Sequence, residues 1–119
     1  MKFILTLLLL LTFTATPALA ATASLSLTKN RYYVHLNFGD LKNVSRVNYT
    51  LTYDSSSGQK GFEGGFKLKP KISRSSRRQI LGTCSSGRCV YHKNIKNVSL
   101  DAAFTLRSGG TVNVTRSLP

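Results

Sequence analysis

Apolar and polar residues alternate along most of this chain. Tyr32, Val34, Leu36 and Phe38 interleave with Arg31, Tyr33, His35 and Asn37, and Val47, Tyr49, Leu51 and Tyr53 interleave with Arg46, Asn48, Thr50 and Thr52. Leu100, Ala102, Phe104 and Leu106 alternate with Ser99, Asp101, Ala103, Thr105 and Arg107, and Val112 and Val114 alternate with Thr111, Asn113 and Thr115. A period of two predicts half-buried strands. Leu25 and Leu27 predict a shorter first strand, and Phe62, Phe66 and Leu68 a weaker one interrupted by Gly64 and Gly65. Asp54–Gly58 reads as a loop and Ser108-Gly-Gly110 as a hairpin turn. Seven or eight short strands in one small domain predict an all-β fold, an antiparallel β-sandwich whose two sheets bury their inward rows against each other.

The tetrapeptide Lys-Asn-Val-Ser occurs at 42–45 and again at 96–99. Each copy is followed by an aromatic residue and Thr-Leu, at spacings that differ by one residue. The pair reads as two similar corners feeding two core strands, not as a duplication.

Both cysteines lie in the stretch GTCSSGRCVYH, residues 82–92. Its flanks, 78–83 and 90–93, are strand-like, and Ser85-Ser86-Gly87-Arg88 is good turn material. A hairpin with a four-residue loop sets Cys84 opposite Cys89, within the Cα separation that a disulfide accepts. Thioredoxin-type redox motifs use two intervening residues, not four. A zinc site needs about four ligands, whereas only His92 and His35 could join the two cysteines. A structural disulfide is therefore expected, with no metal and no cofactor. Its register places Gly82 across from Tyr91, where the aromatic ring could cover the bare backbone.

Composition then narrows compartment and partners. Lys2, the apolar run Phe3–Phe13, the helix breaker Pro17 and Ala18-Leu19-Ala20 have the layout of a secretory signal peptide over residues 1–20. The apolar run is short for a span of ~30 Å of hydrocarbon, so cleavage after Ala20 is expected over retention as an anchor. Residues 21–119 then form a single secreted or cell-surface domain, in a compartment that permits disulfides. Seventeen Lys and Arg stand against four acids, a formal charge of +13. Such a field attracts polyanions. Export favours polysaccharide, cell-wall polymer, anionic lipid or extracellular DNA over intracellular nucleic acid.

The densest charge lies at Lys67, Lys69, Lys71, Arg74, Arg77 and Arg78, with no acid among them. Pro70 and three serines make much of this segment read as loop. It is the candidate binding surface, because Arg suits bidentate contacts to phosphate or carboxylate. The competing reading is a solvated edge whose charge discourages aggregation. Tyr33 and His35 are expected to face outward, as ligand-stacking groups or as cover for one sheet face. Sequons occur at Asn43, Asn48, Asn97 and Asn113. Two histidines and four scattered acids give little material for catalysis.

The segment GTCSSGRCVYHKNIKNVSL followed by FTLRSGGTVNVT resembles the C-terminal half of small, uncharacterised exported bacterial proteins. The mature chain is similar, more loosely, to fibronectin type III and other immunoglobulin-like sandwiches. It departs from the fibronectin pattern in having no Trp in the second strand, Phe104 in place of a Tyr, and an extra disulfide hairpin. The first resemblance implies a bacterial source and unmodified sequons; neither brings catalytic residues. The expectation is a monomeric, non-enzymatic binding module whose basic surface contacts an anionic polymer. The alternatives are an assembly component that joins a cell-surface protein through a strand edge, and a small cationic nuclease or toxin using His35 and His92.

Overall fold

A computed structural model describes residues 21–118; the expected leader, residues 1–20, lies outside the described residues, as does residue 119. The described chain contains nine strands and no helix: β1 (Thr22–Leu27), β2 (Tyr33–Gly39), β3 (Val44–Ser55), β4 (Gly58–Lys67), β5 (Ser75–Ile80), β6 (Gly82–Ser85), β7 (Arg88–Tyr91), β8 (Lys96–Leu106) and β9 (Thr111–Ser117). They form an antiparallel sheet in the order β1-β2-β5, a second in the order β4-β3-β8-β9, and the hairpin β6-β7. Nine strands replace the expected seven or eight because the run before Cys84 is divided: Ser75–Ile80 pairs with β2, and Gly82–Ser85 pairs with β7.

The alternating rows pack as their periodicity requires. Val34, Leu36 and Phe38 of β2, Val47, Leu51 and Tyr53 of β3, and Val98, Leu100, Ala102 and Phe104 of β8 are all buried in one core cluster. Each large apolar side chain so buried contributes about 1.5–3 kcal/mol relative to exposure. Phe38 carries the contact between the larger sheets, with ring centroids 5.7 Å from Tyr49, 5.7 Å from Phe66 and 6.0 Å from Phe104. On one side the sheets are also joined by Arg116, whose Nε donates to the Ala23 carbonyl at 3.1 Å.

Two segments differ from their sequence reading. Gly64 and Gly65 do not interrupt β4, which runs on through both. A Cβ on Gly64 would lie 2.4 Å from the ring of Tyr49, its cross-strand partner. The glycine leaves room for that ring between Phe62 and Phe66. Ser75–Ile80 is a strand although it carries no apolar row, because β2 supplies the backbone partners of all six residues. The two Lys-Asn-Val-Ser copies sit at opposite ends of one strand pair: Val44 pairs with Leu106, and Lys96 with Asp54. Both corner valines are buried.

The Cys84–Cys89 disulfide is present, with Cα atoms 4.0 Å apart, and Gly82 lies opposite Tyr91. The turn is shorter than the expected four residues. Ser85 pairs with Arg88, and Ser86 and Gly87 take φ of 50° and 79°, the two positive values of a tight two-residue hairpin turn. The need for glycine at position 82 also has another origin. The Tyr91 ring stacks on Tyr32, while a Cβ on Gly82 would lie 2.2 Å from the Val90 carbonyl oxygen and 2.9 Å from Tyr91 Cα. These are main-chain atoms that cannot swing away. Gly82→Ala should therefore lower stability by about 1–3 kcal/mol, measured as a fall in the urea midpoint. Gly61→Ala, whose Cβ would meet nothing nearer than 3.6 Å, should stay within about 0.5 kcal/mol of the parent.

Candidate functional site

Strand direction divides the loops between two poles. Three connections meet at one of them: residues 40–43 between β2 and β3, residues 68–74 between β4 and β5, and residues 107–110 between β8 and β9. Backbone hydrogen bonds hold them together. Leu41 N–H donates to Ser73 O at 3.1 Å, Leu68 N–H to Ser45 O at 2.9 Å, and Arg107 N–H to Asn43 O at 2.7 Å. Asn43 Nδ2 donates to Ser108 Oγ at 3.0 Å, and the Arg107 guanidinium donates to the Leu68 carbonyl.

This pole gathers Lys42, Arg46, Lys67, Lys69, Lys71, Arg74 and Arg107, with Asp40 as its acid. All but the half-buried Arg46 are exposed. Arg46 and Lys67 are direct cross-strand partners, a like-charge pairing that disfavours the strand contact. Glu63 lies mid-strand in β4, opposite Thr50, and the two remaining acids are held by neutral donors. Asn97 Nδ2 donates to Asp54 Oδ2 at 2.8 Å, and Thr115 Oγ1 to Asp101 Oδ1 at 2.8 Å. The positive pole is thus built from three separated segments and keeps an uncompensated excess of bases.

The six candidate residues divide between the poles. Lys67 ends β4, while Lys69, Lys71 and Arg74 lie in the loop that follows. Arg77 joins Arg78, expected at the start of a strand-like run, within β5, and the two occupy opposite faces of it. Arg77 lies over the Phe66 ring at 4.1 Å and leans toward the basic pole. Arg78 lies over Tyr33 at 3.6 Å, away from it. Lys42, Arg46 and Arg107 complete the basic pole from other parts of the sequence. Arg107 could have been suspected from its place directly before the Ser108-Gly-Gly110 turn; Lys42 gave no comparable signal.

At the other pole the cysteine hairpin docks on the β1-β2-β5 sheet. Leu81 N–H donates to Tyr32 O at 2.8 Å, and His92 N–H to Leu81 O at 2.8 Å. Tyr32 and Tyr91 stack with ring centroids 4.0 Å apart and planes 14° apart. Tyr33 meets Tyr91 edge-on, with the hydroxyl oxygens 3.3 Å apart. Tyr33 is thus half-buried under the hairpin, whereas His35 is exposed on the outer face of β2. His92 turns inward, its Nδ1 2.6 Å from the hydroxyl of the buried Tyr53. The two histidines therefore belong to different surroundings. Among the described residues, no three His, Cys, Asp or Glu side chains come together as metal ligands, and no helix is long and apolar enough to cross a membrane. Comparison with protein-family models, with curated proteins and with solved structures finds no match.

Two outcomes follow from this geometry. Lys67→Gln relieves the repulsion from Arg46, so it should raise stability by a few tenths of a kcal/mol at low ionic strength, ~0.3 kcal/mol. That gain should vanish at about 1 M salt, where the screening length is about 3 Å; urea melts at both salts measure it. Separately, burial pushes the Tyr53 phenol up to about 12, and burial with the nearby Lys60 holds the His92 imidazole below its ordinary range. The unfolded chain restores the ordinary His value of about 6.5. The contribution of His92 is thus complete above about pH 6.5 and is lost as pH falls through the lowered folded value. The melting temperature should fall between about pH 7.5 and about pH 5, and His92→Gln should flatten that slope.

Proposed function

We propose that this chain is an exported, monomeric, non-enzymatic binding module of immunoglobulin or fibronectin type III-like fold. Its basic pole contacts an anionic polymer or surface: polysaccharide, cell-wall polymer, lipid or extracellular DNA. The strand orders β1-β2-β5 and β4-β3-β8-β9, with a core shared between them, support the sandwich reading. The observation that carries the functional reading is the convergence of three loops and the strand ends beside them, which gathers seven bases around one acid, including a directly opposed Arg46–Lys67 pair. Repulsion of that kind is offset when an anion binds between the charges. The inward engagement of His92 by Tyr53 supports a non-enzymatic role over a His35/His92 nuclease.

A second reading rests on β4. It is an edge strand of ten residues without proline, hydrogen-bonded to β3 alone. Such an edge can accept a strand from a protein partner, which fits an assembly component of a cell-surface complex.

Binding of the oxidised protein to acidic polysaccharide, DNA and anionic vesicles, titrated with salt, separates these readings. Near an anionic surface each base contributes about 1 kcal/mol, so joint replacement of Lys69, Lys71 and Arg74 by Gln should weaken binding about a hundredfold. The salt dependence should become shallower and the melting temperature should hold. Arg77 and Arg78 are left intact in this variant because both lie on aromatic rings. Binding unchanged in the triple variant would overturn the role of the pole. Salt-insensitive oligomers formed through β4 would favour the assembly reading.

A further inference from the structure

The hairpin pole carries a second feature, independent of the basic pole. A groove of about 590 Å³ opens between the β1–β2 connection and the segment after β7. Asn30, Arg31, Tyr32, Tyr91, Lys93 and Asn94 line it, and no acid is among its lining residues. Tyr32 keeps 41% of its surface exposed although one ring face rests on Tyr91. The neighbouring Val90 is 66% exposed.

The polar groups around this aromatic surface are held in place. One terminal nitrogen of Arg31 donates to the Ile95 carbonyl at 2.6 Å, which orients the guanidinium and leaves its remaining N–H groups for a planar anion. Asn30 Oδ1 accepts from Thr28 Oγ1 at 2.6 Å and from Tyr32 N–H at 3.0 Å, so its amide NH₂ is the end left to donate. Lys93 is anchored through its carbonyl, which accepts from Ser56 N–H at 2.9 Å, while its side chain stays exposed. Arg31 and Asn94 adopt φ of 60° and 56°. This region is sparsely used by non-glycine residues and is held by surrounding structure where it occurs, often at ligand clamps. The disulfide and the Leu81 main-chain bonds brace the hairpin side.

We propose that this groove is a second binding site, taking one or two carboxylated sugar units of an acidic polysaccharide. The exposed Tyr32 face would pack on the apolar face of a sugar ring. Arg31 and Lys93 would pair with its carboxylate, and the amides of Asn30 and Asn94 would meet its hydroxyls. The same charges suit a nucleic acid less well. Single strands bind along successive free aromatic faces, whereas here Tyr32 and Tyr91 close on each other at 4.0 Å and leave one free face, enough for a sugar ring but not for a run of bases.

The test is titration of the oxidised protein with a galacturonate tetramer, a neutral galactose tetramer and a single-stranded thymidine oligomer. Binding is read by isothermal titration calorimetry, which does not depend on the two groove tyrosines, Tyr32 and Tyr91. The galacturonate tetramer should bind, with the neutral tetramer and the thymidine oligomer at least about tenfold weaker. Tyr32→Ala and Lys93→Gln should each weaken galacturonate binding about tenfold, while the Lys69, Lys71 and Arg74 triple variant leaves it unchanged. If Tyr32→Ala lowers the melting temperature through loss of the Tyr91 stack, Lys93→Gln decides alone. The proposal is overturned if the tetramer does not bind, if Lys93→Gln binds it as tightly as the parent, or if the thymidine oligomer competes better than galacturonate. Loss of tetramer binding in the triple variant alone would assign the sugar to the basic pole instead.

Discussion

The two larger sheets depend on a shared apolar core whose aromatic centre is one ring. Phe38 projects from the end of β2 and meets Tyr49, Phe66 and Phe104, which belong to β3, β4 and β8. Aromatic pairs at such distances contribute about 0.5–1.5 kcal/mol each beyond the area they bury. The position matters as much as the energy. Phe38 is the last inward residue before the β2–β3 loop, and its neighbour Phe66 carries the guanidinium of Arg77. A single packed column thus runs from the core to the basic pole. The loops at that pole are hung from a rigid base.

Charge sets the opposing constraint. A small domain with this excess of bases repels itself in the folded state. The fold distributes part of the load by laying Arg77 and Arg78 over aromatic rings and by turning other guanidinium groups toward backbone carbonyls. It does not relieve the pole where Lys67 faces Arg46. Elsewhere in the molecule, amide and hydroxyl donors satisfy Asp54 and Asp101. These two carboxylates therefore stand away from the pole and leave Asp40 as its acid.

The rows of alternating Leu, Val, Phe and Tyr were readable because a strand with one buried face writes that face into every second residue. β2, β3, β8 and β9 follow from this rule, and the disulfide register follows from hairpin geometry. β5 was legible only over its second half, Arg78 to Ile80; the first half was hidden for the same reason reversed. Its inward positions are Ser75, Arg77 and Gln79, at a sheet edge where a long side chain can cover Phe66 instead of entering the core. Gly64 looked like a breaker because the ring that needs its space, Tyr49, lies fifteen residues earlier. The basic pole was half legible. Lys67 to Arg74 are neighbours in sequence, but Lys42, Arg46 and Arg107 reach the pole only through the strand order.

The hairpin and the sheet closure also differ in when they can form. Cys84 and Cys89 are separated by five positions, so their loop closes among the fastest chain events, within about 10–100 ns for contact formation. The Arg116–Ala23 bond spans 93 positions, and non-local pairings of that kind slow folding. Gly82 and Tyr91 can therefore be in register while the ends of the chain are still apart. Oxidation is slower, taking seconds to hours, so the cross-link secures a register that local contact has already found. Afterwards the hairpin stays closed through any opening of the far longer Arg116–Ala23 loop.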